Sequence, residues 1–439
     1  MKTIMRRREL LGRAAAVVGG LSMAGCARPV KGPALVSGGS PNEKLNLGII
    51  GVNGRGKANI DGLKSENVAA LCDIDARYLA EAATRFPRAR TYADWRKLLE
   101  QKDVDAVVIS TADQVHALAA VMAMKLGKHV YCEKPLAHSV HEARVVRETY
   151  LACRGKVATQ MGTQIHATEN YRRVVELVQG GAIGPVREAH VWCNRVGPGG
   201  NLPSGSKPVP DYLSWDLWLG PAPYRPYHPD YLPGNLVWNR YWDFGNGTLG
   251  DMGSHLIDLA FWALDLGDPT TVEAQGSPVS PVTNPRWLIA TWEHPARGGR
   301  PAVKVTWYDA DKRPESPPGI DLKPWGIGVM FVGDTGRLLA DYGKHILLPK
   351  NDYRGFTPPK AEIPPSPGHY EEWIRACKTG SPTLCNFDYS ARLIEHNLLG
   401  NVAYRVGRKL TWDAANLKAI GCPEADAFIR REYRKGWTI

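Results

Sequence analysis

The 439-residue chain has no apolar run long enough to cross a membrane. Its one weakly apolar N-terminal stretch, 14–24, is rich in Ala and Gly and falls short of the roughly 20 residues a spanning helix needs. Cysteine is scarce, at eight residues, and none stand at zinc-site spacing. That excludes a structural zinc and a disulfide framework, although a single Cys377–Cys385 pair stays open. Cys72 and Cys132 end apolar runs, where Cys serves as a small buried hydrophobe. No internal repeat occurs, which excludes a solenoid. Beyond residue 13 there is no Lys/Arg block and no nucleic-acid-binding motif. Removing residues 1–25 takes away five basic residues and one acid, leaving +7 of the +11 formal charge, a mildly basic solvated surface. Neither a nucleic-acid partner nor a metal is expected.

What is present begins with Arg6-Arg7-Arg8 followed by Glu9-Leu10-Leu11, close to the R-R-x-F-L pattern of twin-arginine export with Leu in place of Phe. Met23-Ala24-Gly25-Cys26 resembles a lipoprotein cleavage box, with Met where Leu is usual. Two readings follow: a lipid on Cys26 that anchors the protein at the cell envelope, or ordinary cleavage near Ala27 that releases it into the periplasm. Residues 27–43, with Pro29, Gly32, Pro33 and Ser37-Gly38-Gly39-Ser40-Pro41, read as a flexible tether. Residues 1–26 are expected to be a signal that engages the twin-arginine export machinery, and the fold to begin at 44.

The roughly 395 residues that remain suffice for two domains with real cores. From 44 to about 160, apolar runs at 45–51, 68–72, 104–111, 129–132 and 156–160 alternate with amphipathic stretches at 57–64, 76–86, 95–101, 114–126 and 140–152. Such βαβα alternation predicts an α/β doubly wound parallel sheet. From 161 to 439 the pattern changes. A helix at 169–179 and a strand at 186–194 precede a Pro/Trp/Tyr-rich stretch to Asn246 and a helix at 249–266. Strands follow at 271–275, 287–292, 303–307, 326–332 and 337–340, then a helix at 389–406. Runs of strands predict a C-terminal α/β domain with a mostly antiparallel open sheet, the last helix packing back across the domains.

The first apolar run ends in Gly51-Val52-Asn53-Gly54-Arg55-Gly56, and Asp73 ends the next. In a dinucleotide fold, Gly51 permits the tight turn, the following helix N-terminus offers N–H groups to the pyrophosphate, and Gly56 allows close helix–strand packing. Asn53 stands where the middle glycine is usual. Asp73 would accept hydrogen bonds from the adenosine ribose and disfavour a 2′-phosphate, so NAD is expected; Arg77 nearby keeps NADP open. A dinucleotide enzyme bound for export must fold around its cofactor before leaving the cytosol. Glu133-Lys134-Pro135 closes the fourth run, 129–132, where strand ends face the ligand crevice. Asp251 and His255 stand four apart in a helical stretch, hence on one face, and an acid–imidazole pair suits proton transfer near neutral pH.

Together these motifs resemble the Gfo/Idh/MocA family of sugar oxidoreductases, which combine an N-terminal Rossmann domain, a strand-end E-K-P and a D-x-x-x-H helix in a second α/β domain. The resemblance implies cofactor contacts at Gly51, Asn53, Gly54, Arg55, Gly56 and Asp73. It adds Thr111 and His116, because Ser110-Thr111-Ala112-Asp113-Gln114-Val115-His116 is similar to the family's T-P-x-x-x-H. Glu133 would approach the nicotinamide, Lys134 the reacting hydroxyl, and Asp251 with His255 would complete a proton relay. A homo-oligomer is expected.

Between Trp192 and Trp242 lie five of the fourteen Trp, with Tyr212, Trp215, Trp218, Tyr224, Tyr227, Tyr231, Trp238 and Tyr241 among them. Such rings can stack on sugar C–H faces or pack a long loop; as a group they suggest a carbohydrate cleft, with Arg240 and Trp242 at its end. Gln164, His166, Tyr171, Arg172 and Asn194 are further substrate candidates. The expected activity is NAD(P)-dependent oxidation of a sugar or glycoside ring hydroxyl by a tightly held cofactor. Two alternatives stand beside it. One is a redox-assisted glycoside hydrolase that oxidises, eliminates and re-reduces; relatives of that kind, such as the NAD-dependent N-acetylgalactosaminidases, carry T-H-G where this chain has Asp251 and His255. The other is a non-catalytic sugar-binding lipoprotein, against which the joint presence of Lys134, Asp251 and His255 argues.

Overall fold

The computed structural model describes residues 43–439 apart from 233 and 235. The arginine run, Cys26 and all but the last residue of the tether lie outside the described residues. The first half alternates β1 (Asn46–Ile50), α1 (Arg55–Gly62), β2 (Asn67–Cys72), α2 (Ala76–Arg85), β3 (Arg90–Tyr92), α3 (Trp95–Leu99), β4 (Ala106–Ile109), α4 (Asp113–Lys125), β5 (His129–Cys132), α5 (Val140–Ala152) and β6 (Thr159–Met161). The six strands form one sheet in the order β3-β2-β1-β4-β5-β6, all pairs parallel, which is the doubly wound dinucleotide-binding order. Every residue of β4 and β5 is buried, as expected of strands covered on both faces by helices. Only β3 escapes the sequence pattern: three partly exposed edge residues are too few to show a period.

The second half runs α6 (Glu169–Gln179), β7 (Val186–Cys193), α7 (Trp215–Leu219), α8 (Gly247–Ala263), β8 (Thr271–Gly276), β9 (Leu288–His294), β10 (Val303–Asp309), β11 (Ile327–Gly333), β12 (Arg337–Ala340), β13 (His345–Leu348), α9 (His369–Thr379), α10 (Phe387–Val406), β14 (Leu410–Asp413), β15 (Lys418–Ile420) and α11 (Asp426–Ile429). Its nine strands lie in the order β13-β12-β11-β7-β10-β9-β8-β14-β15, antiparallel except where β10 pairs β7. Helix α8 packs on this sheet and is apolar nearly all round: Leu249, Leu256, Ile257, Leu259 and Ala260 are fully buried.

Helix α10 starts at an Asn386 side-chain cap and ends at Gly407 in the left-handed region. It packs on α5 of the first sheet and α8 of the second, so it does bridge the two halves. Arg144 on α5 pairs with the buried Glu395 of α10 at 2.7 Å, and Arg147 with Asp388 at 2.8 Å. Helix α9 was not expected from the sequence, although its apolar residues Tyr370, Trp373, Ile374 and Cys377 recur at helical spacing. It buries Trp373, Ile374 and Cys377 in the cluster of Leu47, Ile49 and Val108, so the first core draws on residues far beyond 160. Cys377 and Cys385 are both buried free thiols.

Candidate active site

The turn after β1 has the shape a dinucleotide requires. Gly51 sits at φ +84°, and a Cβ there would lie 2.5 Å from the Ser110 carbonyl oxygen. A Cβ on Gly56 would lie 1.9 Å from the Gly51 oxygen, so neither position admits a side chain. No side chain caps α1; the Gly56 amide is taken by the Asn53 oxygen at 2.9 Å, which leaves the other first-turn amides to a ligand. Gly51, Asn53, Gly54, Arg55, Asp73 and Thr111 line one cavity of about 910 Å³, within the range of cofactor sites. The Asp73 carboxylate accepts the Val52 and Asp75 amides at 2.9 and 3.0 Å, which fixes it on the cavity wall. Burial raises its pKa above the usual carboxylate value, while those amides oppose the shift. The residues present therefore fit a dinucleotide, whose pyrophosphate the glycine turn would hold and whose ribose Asp73 would hold.

At the end of β5, Glu133 is buried and joins several donors. It accepts Arg55 Nε at 2.8 Å, Asn59 Nδ2 at 3.0 Å and Gln164 Nε2 at 3.2 Å. Tyr370 on α9 donates to Asn59 Oδ1 at 2.8 Å and completes this set. Gln164 thus lines the cavity as a partner of Glu133. Asn59 and Tyr370 carry no motif, and only the fold brings them here.

Beside Glu133, the Lys134 ammonium is bonded to one oxygen of Asp251, across 117 residues of chain. The other oxygen takes Arg195, a residue that sequence reasoning missed, from just beyond β7. The Asp251 side chain is 4 % exposed, Lys134 15 % and Arg195 47 %. Burial alone would raise the Asp251 pKa, but Lys134 and Arg195 hold it below the usual carboxylate value. His255, one helical turn on from Asp251, lines the same cavity as Lys134. Burial and then the Lys134 charge push its pKa down to about 3, so the imidazole is neutral at neutral pH. Its Nδ1 and the nearby Tyr342 hydroxyl are both buried without a hydrogen-bond partner among the described residues. Asp113, also missed, lines the cavity as well; burial raises its pKa well above the usual value, Lys134 opposing.

Lys134, Asp251 and His255 come together, but several other candidates do not join them. His116 lies off the cavity inside α4, its Nδ1 facing the Pro135 oxygen at 2.8 Å and its Nε2 the Thr111 oxygen at 3.0 Å. It therefore steadies the backbone next to the site. His166 is buried against Asp258 at 2.9 Å and stacked 3.9 Å from Trp262. The Tyr171 hydroxyl donates to the His255 carbonyl at 3.0 Å, supporting α8 from behind. Arg172 is bonded to Glu372 and to the Pro364 oxygen. Asn194 is exposed next to Arg195 and lies outside the cavity lining. Arg240 lies 5.9 Å from the Tyr241 ring, and Trp242 donates to the Ser280 oxygen within the core.

The aromatic stretch is mainly packing. Trp215, Trp218, Tyr227, Tyr231, Tyr241 and Phe244 form a buried cluster of their own, and Trp192 is buried on another face of the sheet. Of the rings proposed as a sugar wall, Tyr212, Trp218, Tyr227 and Trp238 reach the cavity whose lining includes Asp73. Spacing could show that rings were abundant, but not that most of them stack on one another.

Comparison with known proteins agrees with this geometry. Residues 45–159 match the family model described as oxidoreductase family, NAD-binding Rossmann fold, and residues 193–288 match its C-terminal alpha/beta domain, both of Gfo/Idh/MocA type. A levoglucosan dehydrogenase of Pseudarthrobacter phenanthrenivorans is 28 % identical over 276 residues, 58 % of this chain and 57 % of that protein. An inositol 2-dehydrogenase of Salmonella paratyphi B is 30 % identical over 151 residues, 33 % of this chain and 45 % of that protein. The chain spans about half the length of these curated relatives. The WlbA dehydrogenase of Bordetella pertussis, solved with NADH and UDP-GlcNAcA, shares the fold at TM-score 0.59 and 15 % identity, over 84 % of this chain and 98 % of that one.

Proposed function

For a chain that belongs to the Gfo/Idh/MocA oxidoreductase family by both of its domain matches, we propose hydride exchange between a sugar or glycoside ring hydroxyl and a resident NAD. The observation that carries this reading is the Lys134–Asp251 ion pair, which ties the Rossmann strand end to the second domain on the cavity that His255 also lines. Gly51, Gly54, Gly56 and Asp73 would hold the dinucleotide, with Glu133 at its nicotinamide end. When bound, the nicotinamide accepts or returns the hydride.

The chain's own residues do the rest. The Lys134 ammonium donates to the substrate oxygen and stabilises the charge that develops there. Neutral His255, which lines the cavity, is free to accept the hydroxyl proton. Asp251 holds Lys134 in place, and Arg195 holds Asp251, so the cluster carries net positive charge where an alkoxide forms. The twin arginines support export of the folded, loaded protein, and Cys26 supports a lipid anchor as the alternative to soluble release; cell fractionation with a Cys26→Ser variant tests both.

The activity test is a glycoside panel incubated with the purified protein and followed by absorbance. A keto product with reduced cofactor supports the dehydrogenase. Released aglycone without net reduction indicates the redox-assisted hydrolase, and no change in either overturns the enzymatic reading. Lys134→Ala should abolish turnover while NAD stays bound; unchanged turnover would remove Lys134 from the mechanism.

A further inference from the structure

The stretch between β7 and α8 belongs to the second half of the chain, yet it is stitched along the mouth of the Rossmann crevice. The Ala76 amide donates to the Tyr212 oxygen and the Ser214 amide to the Ile74 oxygen, both at 2.8 Å. Asp75 and Leu213 thereby form an antiparallel bridge just past the end of β2. Gln114 on α4 donates to the Trp218 oxygen at 2.9 Å, a second seam on the other side of the cavity. Arg434, near the C-terminus, donates to the Asp216 and Gly220 oxygens at 2.8 and 3.0 Å and secures the stretch from outside. Its stacked Trp215 and Trp218 pack with Ile74 of the Rossmann half in one aromatic cluster.

At this seam the Arg77 guanidinium lies 3.6 Å from the centroid of the Tyr212 ring. Asp75 grips the same guanidinium twice, at 2.7 and 3.1 Å. Asp73, Asp75, Arg77 and Tyr212 all line the one cavity. An arginine near the strand-end acid ordinarily serves a 2′-phosphate. Here its charge is matched by a carboxylate and its face is covered by a ring.

We propose that Tyr212, Arg77 and Asp75 form a clamp that retains the dinucleotide through turnover and selects NAD over NADP. This rests on the dinucleotide reading of the cavity given above and names the residues that make the cofactor resident. With the seam intact, the adenosine end lies between Asp73 and the overlying stretch, and release requires that stretch to part from β2. Among the described residues at this end of the cavity, two carboxylates and an engaged guanidinium leave no free cation for a 2′-phosphate, which the neighbouring acids repel.

The test begins with protein purified without added nucleotide, gel-filtered, denatured and assayed for released NAD(H). Wild type and Tyr224→Ala, a ring 67 % exposed on the same stretch and off the cavity, should each carry about one nucleotide per chain. Tyr212→Ala and Arg77→Gln should lose most of it and release NADH about tenfold faster or more when chased with excess NAD. Circular dichroism confirms that each variant is folded. Asp75→Asn keeps a helix cap and frees Arg77, so the ratio of NADP to NAD dissociation constants should fall about tenfold. Retention and release equal to wild type in both clamp variants would overturn the retention claim, as would a wild type that exchanges nucleotide within seconds. An unchanged ratio in Asp75→Asn would overturn the selectivity claim. A chain that binds neither NAD nor NADP at millimolar concentration would instead refute the dinucleotide reading itself.

Discussion

Replacing Asp251 with Asn keeps the side-chain volume and removes only the charge that Lys134 and Arg195 share. Lys134 is 15 % exposed, so it would lose its hydrogen-bonded counter-charge at a largely buried position. Breaking a buried pair by neutralising one partner costs about 3–5 kcal/mol. The Arg195 contact adds less than about 1 kcal/mol, because that side chain is 47 % exposed and water screens it. A loss of about 3–5 kcal/mol is therefore expected, a large part of the roughly 5–15 kcal/mol that stabilises most proteins. Catalysis suffers separately. Lys134 loses its register, and His255 loses the one nearby carboxylate that raises its basicity, so kcat should fall about 10²–10⁴-fold. Urea unfolding gives the first quantity and turnover of the accepted glycoside the second, with NAD binding as the control that should not move. A urea midpoint within about 0.3 M of wild type together with kcat within about threefold would show that the carboxylate neither holds Lys134 nor serves the reaction.

Proton NMR titration of His255 should show its midpoint rising from about 3 in Lys134→Met, because Lys134 is the largest charge holding it down; Arg195→Gln should raise it less, and no rise in Lys134→Met would refute the coupling. The buried imidazoles of His129, His294 and His369 have pKa values pushed down by burial to about 4, 4 and 3. The unfolded chain takes up protons near 6.5 that the folded chain refuses, so their support is complete above that pH and fades as pH falls toward 3–4. At pH 5 each costs up to about 2 kcal/mol; a melting temperature flat from pH 7.5 to 5 would contradict this. Asp113→Asn mimics the protonated form that burial favours, so its urea midpoint should match wild type at low pH and exceed it at pH 8, where ionising the native carboxyl is most costly.

The order of elements and the chemistry that depends on neighbours in the chain were legible from the residues alone. Alternation of period two and 3.6 gave the two sheets, a glycine spacing gave the phosphate turn, and a four-residue interval put Asp251 and His255 on one helical face. Those are local relations, fixed by backbone geometry within a few residues. Edge strands such as β3 carried too short a pattern to stand out, and that the amphipathic α9 closes the first core shows only in the structure. Tertiary structure alone decided which distant groups meet. It brought Lys134 to Asp251 over 117 residues and Arg195 to Asp251 over 56. It also turned His166, Arg172 and most of the tryptophans inward and laid Tyr212 over Arg77. Such meetings depend on how two cores pack and where a long loop finds its hydrogen bonds, and one-dimensional spacing holds no record of either.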